Sequence, residues 1–375
     1  MTRSVPRCVA TPPGRWARRG RWMALGALLL SAACARRAPP MPGGMARPTV
    51  PAPEPEGGCC ALAPSAEATR RIAEAHRVGA LPTPRVTHAA LWRALEPLVQ
   101  QSGAAVREIG RSVQGRPLRA VTVGTGPTTV LLWSQMHGDE PTATLALADL
   151  LAWFAAPAAE AGLRDFLAER LTLVLVPMLN PDGAQRFVRE NAAGLDVNRD
   201  ARRLATPEGR ALEDLHRMVR PAFAFNLHDQ STRTLDAPGR PPVALALLAP
   251  PTDAARRFGP TRATARLVAA TMAVALEREV PGRVTRYDDT YDPDAFGELM
   301  QGRGTSTVLV ESGELPGDAR RERLRALNVV ALLAALDAIA GERWRTADPR
   351  AYDRLPPNGV AAPERAGRER RASTP

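Results

Sequence analysis

The chain has 375 residues and no lysine; all fifty of its basic residues are arginine. Together with abundant alanine and proline, that points to coding bias in a GC-rich genome and carries no functional signal. Aromatic residues make up only 4%. Cysteine is scarce and misplaced for structural work: Cys8, Cys34, Cys59 and Cys60 all lie in the first 60 residues. The rest of the chain therefore has no disulfide and no thiolate metal site, and any metal there must be held by histidine and carboxylate. Histidine is scarce too, limited to His76, His88, His137, His216 and His228. A basic stripe with a recognisable binding motif is also missing, so no nucleic-acid partner is expected. The formal charge of +11 is carried largely by six arginines in residues 1–33, without which it falls to +5.

What is present at the amino end is an arginine-rich region followed by an apolar run, Met23–Ala33. That run is shorter than the roughly 20 residues a bilayer span needs. Basic residues, a short apolar run and small residues describe an export signal over residues 1–33. Leu30-Ser31-Ala32-Ala33-Cys34 is similar to a bacterial lipoprotein cleavage site, with Ser31 where leucine is usual. Arg18-Arg19 adds a faint twin-arginine echo. The expectation is an exported bacterial protein, periplasmic or attached to a membrane through a lipidated Cys34; an ordinary secretory signal cut near Ala33 is the alternative. Residues 34–64, rich in Pro, Gly and Ala, read as a flexible tether in which Cys59 and Cys60 are incidental thiols. A disordered basic tail is expected over 347–375. The sequence sets no oligomeric state.

Between the tether and the tail, residues 65–346 read as one domain. Two helical patterns fill 65–102, the second capped by Thr87, and a hairpin follows over Ala105–Arg111 and Leu118–Val123. Strand and helix patterns then alternate. Thr129–Gln135, Leu171–Val176, Ala222–Asn226 and Thr307–Val310 read as buried strands. Ala143–Phe154, Pro207–Val219, Arg262–Glu279 and Arg321–Ala340 read as helices. Short apolar strands between helices predict an α/β sheet covered on both faces. His137, Asn180, His228 and Glu311 all fall at carboxyl ends of strands, where such sheets build their sites.

The chemical types at those ends carry the functional reading. His137 and Glu140, three residues apart, can reach one ion, and a second histidine would complete a set that leaves a fourth position open. The H-x-x-E spacing alone is weak. His76 and His88 lie in the outer helical region, and His216 reads as a solvated residue on a surface helix, so His228 is the best third ligand. A metal-activated water needs a base, and Glu311 ends an apolar strand where a carboxylate is costly unless it faces a site. Arg189 and Arg199 flank the loop after the second strand and could supply positive charge to a developing oxyanion.

These residues match a known family in order. Ile109-Gly110-Arg111-Ser112, Gly115-Arg116-Pro117-Leu118, His137-Gly138-Asp139-Glu140 and Asn180-Pro181-Asp182-Gly183 come first. Arg189-Glu190-Asn191, Asp196-Val197-Asn198-Arg199-Asp200, His228 and Glu311 follow. Over about residues 88–345 the chain resembles the zinc carboxypeptidases of the carboxypeptidase A type. The resemblance implies a three-layer α/β/α sandwich with a mixed, mostly parallel sheet, and one Zn2+ on His137, Glu140 and His228. It implies that Glu311 is the general base, that Arg189 polarises the scissile carbonyl, and that Asn198 and Arg199 anchor the terminal carboxylate of a peptide substrate. Two departures stand out. Asp200 occupies a position where the family commonly has asparagine. Asp229-Gln230 follows the third ligand, in an Asn-Leu-His-Asp-Gln run that resembles a bacterial branch. Tyr287 and Tyr291 both qualify by position as a substrate tyrosine, and Arg303 could meet an acidic side chain. Release of C-terminal residues from peptides is the first reading. A zinc amide hydrolase acting on N-acyl amino acids or cell-wall peptides is the second, and a non-catalytic zinc- or peptide-binding module the third.

Overall fold

A computed structural model describes residues 65–81, 85–156, 161–231, 233–234 and 241–361. The expected signal segment, Cys34, the tether with Cys59 and Cys60, and residues 362–375 of the tail lie outside the described residues. The strands in chain order are β1 (Ala105–Arg111), β2 (Pro117–Val123), β3 (Thr128–Ser134), β4 (Leu171–Val176), β5 (Phe223–Asp229), β6 (Arg233–Thr234), β7 (Leu245–Leu248), β8 (Val284–Arg286), β9 (Ser306–Ser312) and β10 (Val360–Ala361). The helices are α1 (Ala66–Ala75), α2 (His88–Ser102), α3 (Thr142–Ala155), α4 (Ala161–Arg170), α5 (Pro181–Arg186), α6 (Pro207–Val219), α7 (Pro260–Glu279), α8 (Phe296–Gly302), α9 (Glu322–Ala340) and α10 (Arg350–Asp353). Short 3-10 turns cover Val197–Arg199 and Arg343–Thr346. No helix among the described residues is long and apolar enough to cross a membrane.

Eight strands form one mixed sheet in the order β1-β2-β4-β3-β5-β9-β7-β8, and β6 pairs with β10 in a separate ribbon. The centre, β4-β3-β5-β9, is parallel; β1 and β2 run antiparallel to their neighbours, and β7 is antiparallel to β9 but parallel to β8. Period-two alternation divides the core into two layers. Val130, Leu132, Phe225, Leu227, Val308 and Val310 pack beneath α3, α7 and α9. Leu131, Trp133, Val174 and Ala224 face the opposite way, against Leu212 and Leu215 of α6 and Phe296 and Met300 of α8. This is the expected three-layer sandwich.

The local reasons are legible helix by helix. Thr206 caps α6, its hydroxyl accepting from Gly209 N at 2.9 Å, with Pro207 at the first helical position. Leu212 and Leu215 then bury on one face, each contributing about 1.5–3 kcal/mol. Helix α3 is buried on nearly every side, because it lies between the sheet, α2 and α9.

The expectation of a disordered tail from residue 347 is corrected over residues 347–361. Tyr352 of α10 is buried at 1% exposure, and its hydroxyl accepts from Ala249 N at 3.1 Å. One aromatic side chain with a fixed partner anchors a segment whose composition otherwise looks unstructured.

Candidate active site

The strand register places the site. On β5 and β9, Asn226 pairs with Leu309 and His228 with Glu311. All four lie on the face opposite Leu227, Val308 and Val310, because side chains alternate along a strand. They gather at the carboxyl edge of the parallel centre, which is the crevice position for an α/β sheet. β5 runs to Asp229 and β9 to Ser312, so His228 and Glu311 sit within their strands rather than after them.

His137 and Glu140 come from the loop between β3 and α3. That loop is held by the Asn180–Gly183 segment. Asn180 donates through its backbone to Gln135 O at 2.9 Å and through Nδ2 to Met136 O at 3.2 Å. A Cβ on Gly138 would stand 2.0 Å from the Gly183 backbone carbon, so this approach admits only glycine. Asn180 itself is fully buried and does not line the pocket; it positions the ligand loop. Asp182, also fully buried, accepts from Ser112 Oγ at 2.8 Å and Gln114 N at 2.9 Å and pairs with Arg116 at 2.6 Å. The Gly-Arg-Ser and Asn-Pro-Asp-Gly runs thus fasten hairpin to loop.

His137, Glu140 and His228 are buried, with ligand atoms all within 4.8 Å of one another. Glu140 Oε1 lies 2.8 Å from His137 Nδ1, and Oε2 lies 2.7 Å from His228 Nδ1. The two Nδ1 atoms are 3.1 Å apart. Three donor groups converging on one point form a cradle for a cation. Asp196 Oδ1, 3.0 Å from His137 Nε2, accepts a hydrogen bond from the Nε2–H and leaves Nδ1 to face the centre, the carboxylate–histidine arrangement that orients metal ligands. Burial works against ionisation of Glu140, but the two histidines overcome it and hold its carboxyl down to about 2. Burial likewise opposes the Asp196 carboxylate, and His137 and Arg189 still hold it below the usual range. Burial pushes His228 down, whereas His137, despite burial, is raised by Glu140 and Asp196.

The pocket around this centre has a volume of about 600 Å³ and is lined by Glu311, Arg189, Asn198, Arg199 and Tyr287 along with the trio. Glu311 is 8% exposed. Arg189 Nε pairs with Asp196 Oδ2 at 2.9 Å, and Nη1 reaches Glu140 Oε1 at 3.3 Å. Arg199 pairs with Asp292 at 3.1 Å and donates to Asn198 O at 2.8 Å. Asn198 Oδ1 accepts from Phe296 N at 3.1 Å.

Several expectations need correction. Tyr287 lines the pocket and Tyr291 does not, although its neighbours Thr290 and Asp292 do. Arg303 is also outside the pocket, paired with buried Glu213. Asp200, the departure from the family pattern, has a structural duty: it accepts from Ala205 N, Thr206 N and Thr206 Oγ1 and so sets the start of α6. His216 is not solvated. It is 6% exposed, with Nε2 2.8 Å from Thr305 Oγ1, because its helix lays that face on the β9 approach. Burial lowers its pKa, with Glu213 opposing. A histidine depressed in the fold contributes stability above its unfolded pKa of about 6.5, lost as pH falls through the folded value. Thermal melts from pH 8 to 5 should therefore show an acid-side fall that is shallower in His216→Gln; equal slopes would refute this.

Asp196, Asp229, Asn226 and Glu298 are pocket or supporting residues given no role by the sequence. Asp229 follows a ligand directly, and its carboxylate accepts from Thr142 N at 3.2 Å and Oγ1 at 2.7 Å. Burial raises its pKa while Arg321 opposes.

Comparison with known proteins bears on this geometry. A zinc carboxypeptidase family model matches residues 99–234, an interval that holds His137, Glu140 and His228. Carboxypeptidase SOL1 of Arabidopsis thaliana is 33% identical over 98 residues, 24% of this chain and 20% of that protein. Such matches span about a fifth of the length of the curated relatives. A crystal structure of a metallo-carboxypeptidase from Burkholderia cenocepacia superposes with a TM-score of 0.54 at 22% identity, over 68% of this chain and 70% of that one. A Pseudomonas aeruginosa metallo-carboxypeptidase, solved in complex with (2-guanidinoethylmercapto)succinic acid, gives 0.51 at 21% identity, over 68% and 70%. At these identities the structures show the fold, which is that of metallocarboxypeptidases.

Proposed function

We propose that the protein is a zinc metallocarboxypeptidase that hydrolyses the C-terminal peptide bond of peptides. The observation that carries this reading is the convergence of His137, Glu140 and His228 in one pocket with Glu311, whose strand position is opposite His228. The donor set fits zinc: two neutral imidazole nitrogens and a carboxylate, with Asp196 behind His137. A zinc ion held there would supply Lewis acidity, drawing electron density from a carbonyl and acidifying water.

The chain's own residues do the rest. Glu311 takes the proton of the attacking water on its carboxylate and returns it to the leaving amine. Arg189 presents its guanidinium beside the trio, where negative charge develops on the carbonyl oxygen. Its Asp196 partner fixes its direction. Arg199 and Asn198 receive the terminal carboxylate, and Tyr287 borders the same space. A bound carboxylate would compete with Asp292 for Arg199, and a bidentate guanidinium suits that exchange.

The test is hydrolysis by the full chain of matched C-terminal peptides and N-acyl amino acids, with zinc, with chelator, and after zinc return. Release of C-terminal residues should fall at least about 100-fold on metal removal and recover with zinc. Turnover restricted to N-acyl amino acids, or turnover indifferent to chelation, would overturn the reading.

A further inference from the structure

A second pocket, of about 450 Å³, opens between the end of α6 and the turn that leads from α8 into β9. Its walls carry Arg217, Arg220, Arg303 and His216, and no carboxylate among the described residues lines it. It lies at the other edge of the sheet from the metal-holding trio. Pro221 and Thr305 stand just before β5 and β9, whereas His228 and Glu311 lie near the far ends of those strands. Along β9, Thr305 and Glu311 are separated by roughly 20 Å.

The pocket has positive charge to spare. Arg217 and Arg303 both pair with one oxygen, Oε1, of Glu213, a buried residue that does not line the pocket. One carboxylate thus answers two guanidiniums, and each guanidinium keeps further N–H donors for a ligand. Arg220 is exposed, and its guanidinium has no partner among the described residues. Its backbone stands at φ 45° and ψ 60°, the left-handed region in which helices commonly end on glycine. A side chain kept there against backbone preference points to a use for it.

His216 adds a hydrogen-bonding preference. The hydroxyl proton of Thr305 goes to Pro221 O at 2.9 Å, so Thr305 Oγ1 accepts from His216 Nε2 at 2.8 Å. That fixes the tautomer of the neutral ring and makes Nδ1 an acceptor. Nδ1 is buried and has no partner. Burial lowers the pKa of the ring; Glu213 opposes it, and Arg303 and Arg217 add to it. The pocket therefore sets guanidinium donors beside an acceptor that lacks a proton. A fully deprotonated anion answers only the donors. An anion that still carries a proton answers both.

We propose that this pocket binds inorganic phosphate as the hydrogen phosphate ion, its oxygens accepting from Arg220, Arg217 and Arg303 and its P–OH donating to His216 Nδ1. The site lies apart from the metal-holding trio and goes beyond the activity proposed above.

The experiment is calorimetric titration of the full, zinc-loaded chain at low ionic strength near pH 8, with phosphate, sulfate and glycerol 3-phosphate in turn. At that pH inorganic phosphate keeps one proton. Sulfate has none, and a phosphate monoester has lost its last near pH 6. Phosphate should bind with a Kd below about 1 mM, and the other two ions at least about tenfold more weakly. Arg220→Gln should weaken phosphate by about tenfold or more. In His216→Leu, phosphate and sulfate should bind alike; the comparison of ions on the unaltered protein needs no variant to fold. Failure of phosphate to bind at millimolar concentration, or sulfate or the monoester binding as tightly as phosphate, overturns the inference. So does phosphate binding that Arg220→Gln leaves in place and that inhibits peptide hydrolysis in step, since the ion then sits at the metal pocket.

Discussion

Glu311→Gln should lower kcat by about 10²–10⁴-fold, the usual contribution of a positioned proton carrier, while the protein keeps its zinc. The substitution preserves shape and hydrogen bonding and removes only the capacity to hold a proton. Glu311 is 8% exposed on a seven-residue strand that is otherwise buried, and its strand neighbour across β5 is the ligand His228. An acid placed there at a cost in desolvation serves the site and not the core. It is not one of the three groups that converge on the metal position, so zinc content separates its role from theirs. The paired measurements are single-turnover kinetics and zinc per chain. A variant that binds zinc stoichiometrically and turns over within tenfold of the parent would remove Glu311 from the proposed mechanism and leave the base to be found elsewhere in the pocket.

What the sequence revealed and what it hid follow from how far each property depends on tertiary contacts. The central strands were legible because burial on both faces writes continuous apolar runs such as Leu171–Val176. α6 was legible from residue to residue because Thr206 and Pro207 mark its start. By contrast β7, Leu245–Leu248, sits in a stretch of Ala and Leu between prolines. Those residues favour helix intrinsically, and only antiparallel pairing with β9 makes them a strand. β8 is three residues long, too short for a period to show. In the site, His137, Glu140, His228 and Glu311 could be read because their chemistry narrows the choice: five histidines, of which two end apolar strands. Asn226 and Glu298 could not, because one lies inside a strand and the other on a short helix, and nothing local marks their lining one pocket. Tyr352, His216 and Asp200 carry the same lesson in reverse. Composition made them look like tail, surface and catalytic loop, and each is occupied with packing or with holding a neighbouring segment.

The largest stability effect should come from a pair far from the pocket. Asp149 of α3 and Arg325 of α9 are 1% and 2% exposed and form a two-point ion pair. Asp149 also accepts from Val78 N at 2.7 Å, and Arg325 donates to Val78 O at 3.3 Å. The pair therefore ties the segment after α1 to two of the most buried helices. Breaking it from one side strands a charge with no water to solvate it. Asp149→Ala should cost about 3–5 kcal/mol, a fall in Tm on the order of 10 °C for a domain this size. Arg325→Met should cost less than Asp149→Ala, because a buried carboxyl can protonate and a guanidinium cannot. Replacing both, as Asp149→Leu with Arg325→Met, should recover much of the loss, since two well-packed apolar side chains need no counter-charge. The one group still unserved would be Val78 N, which no apolar substitution can satisfy. Denaturant melts of the two single variants and the double variant decide the matter. Additive losses would mean that the two side chains act separately, and a loss under about 1 kcal/mol for Asp149→Ala would mean that water reaches Arg325 after all.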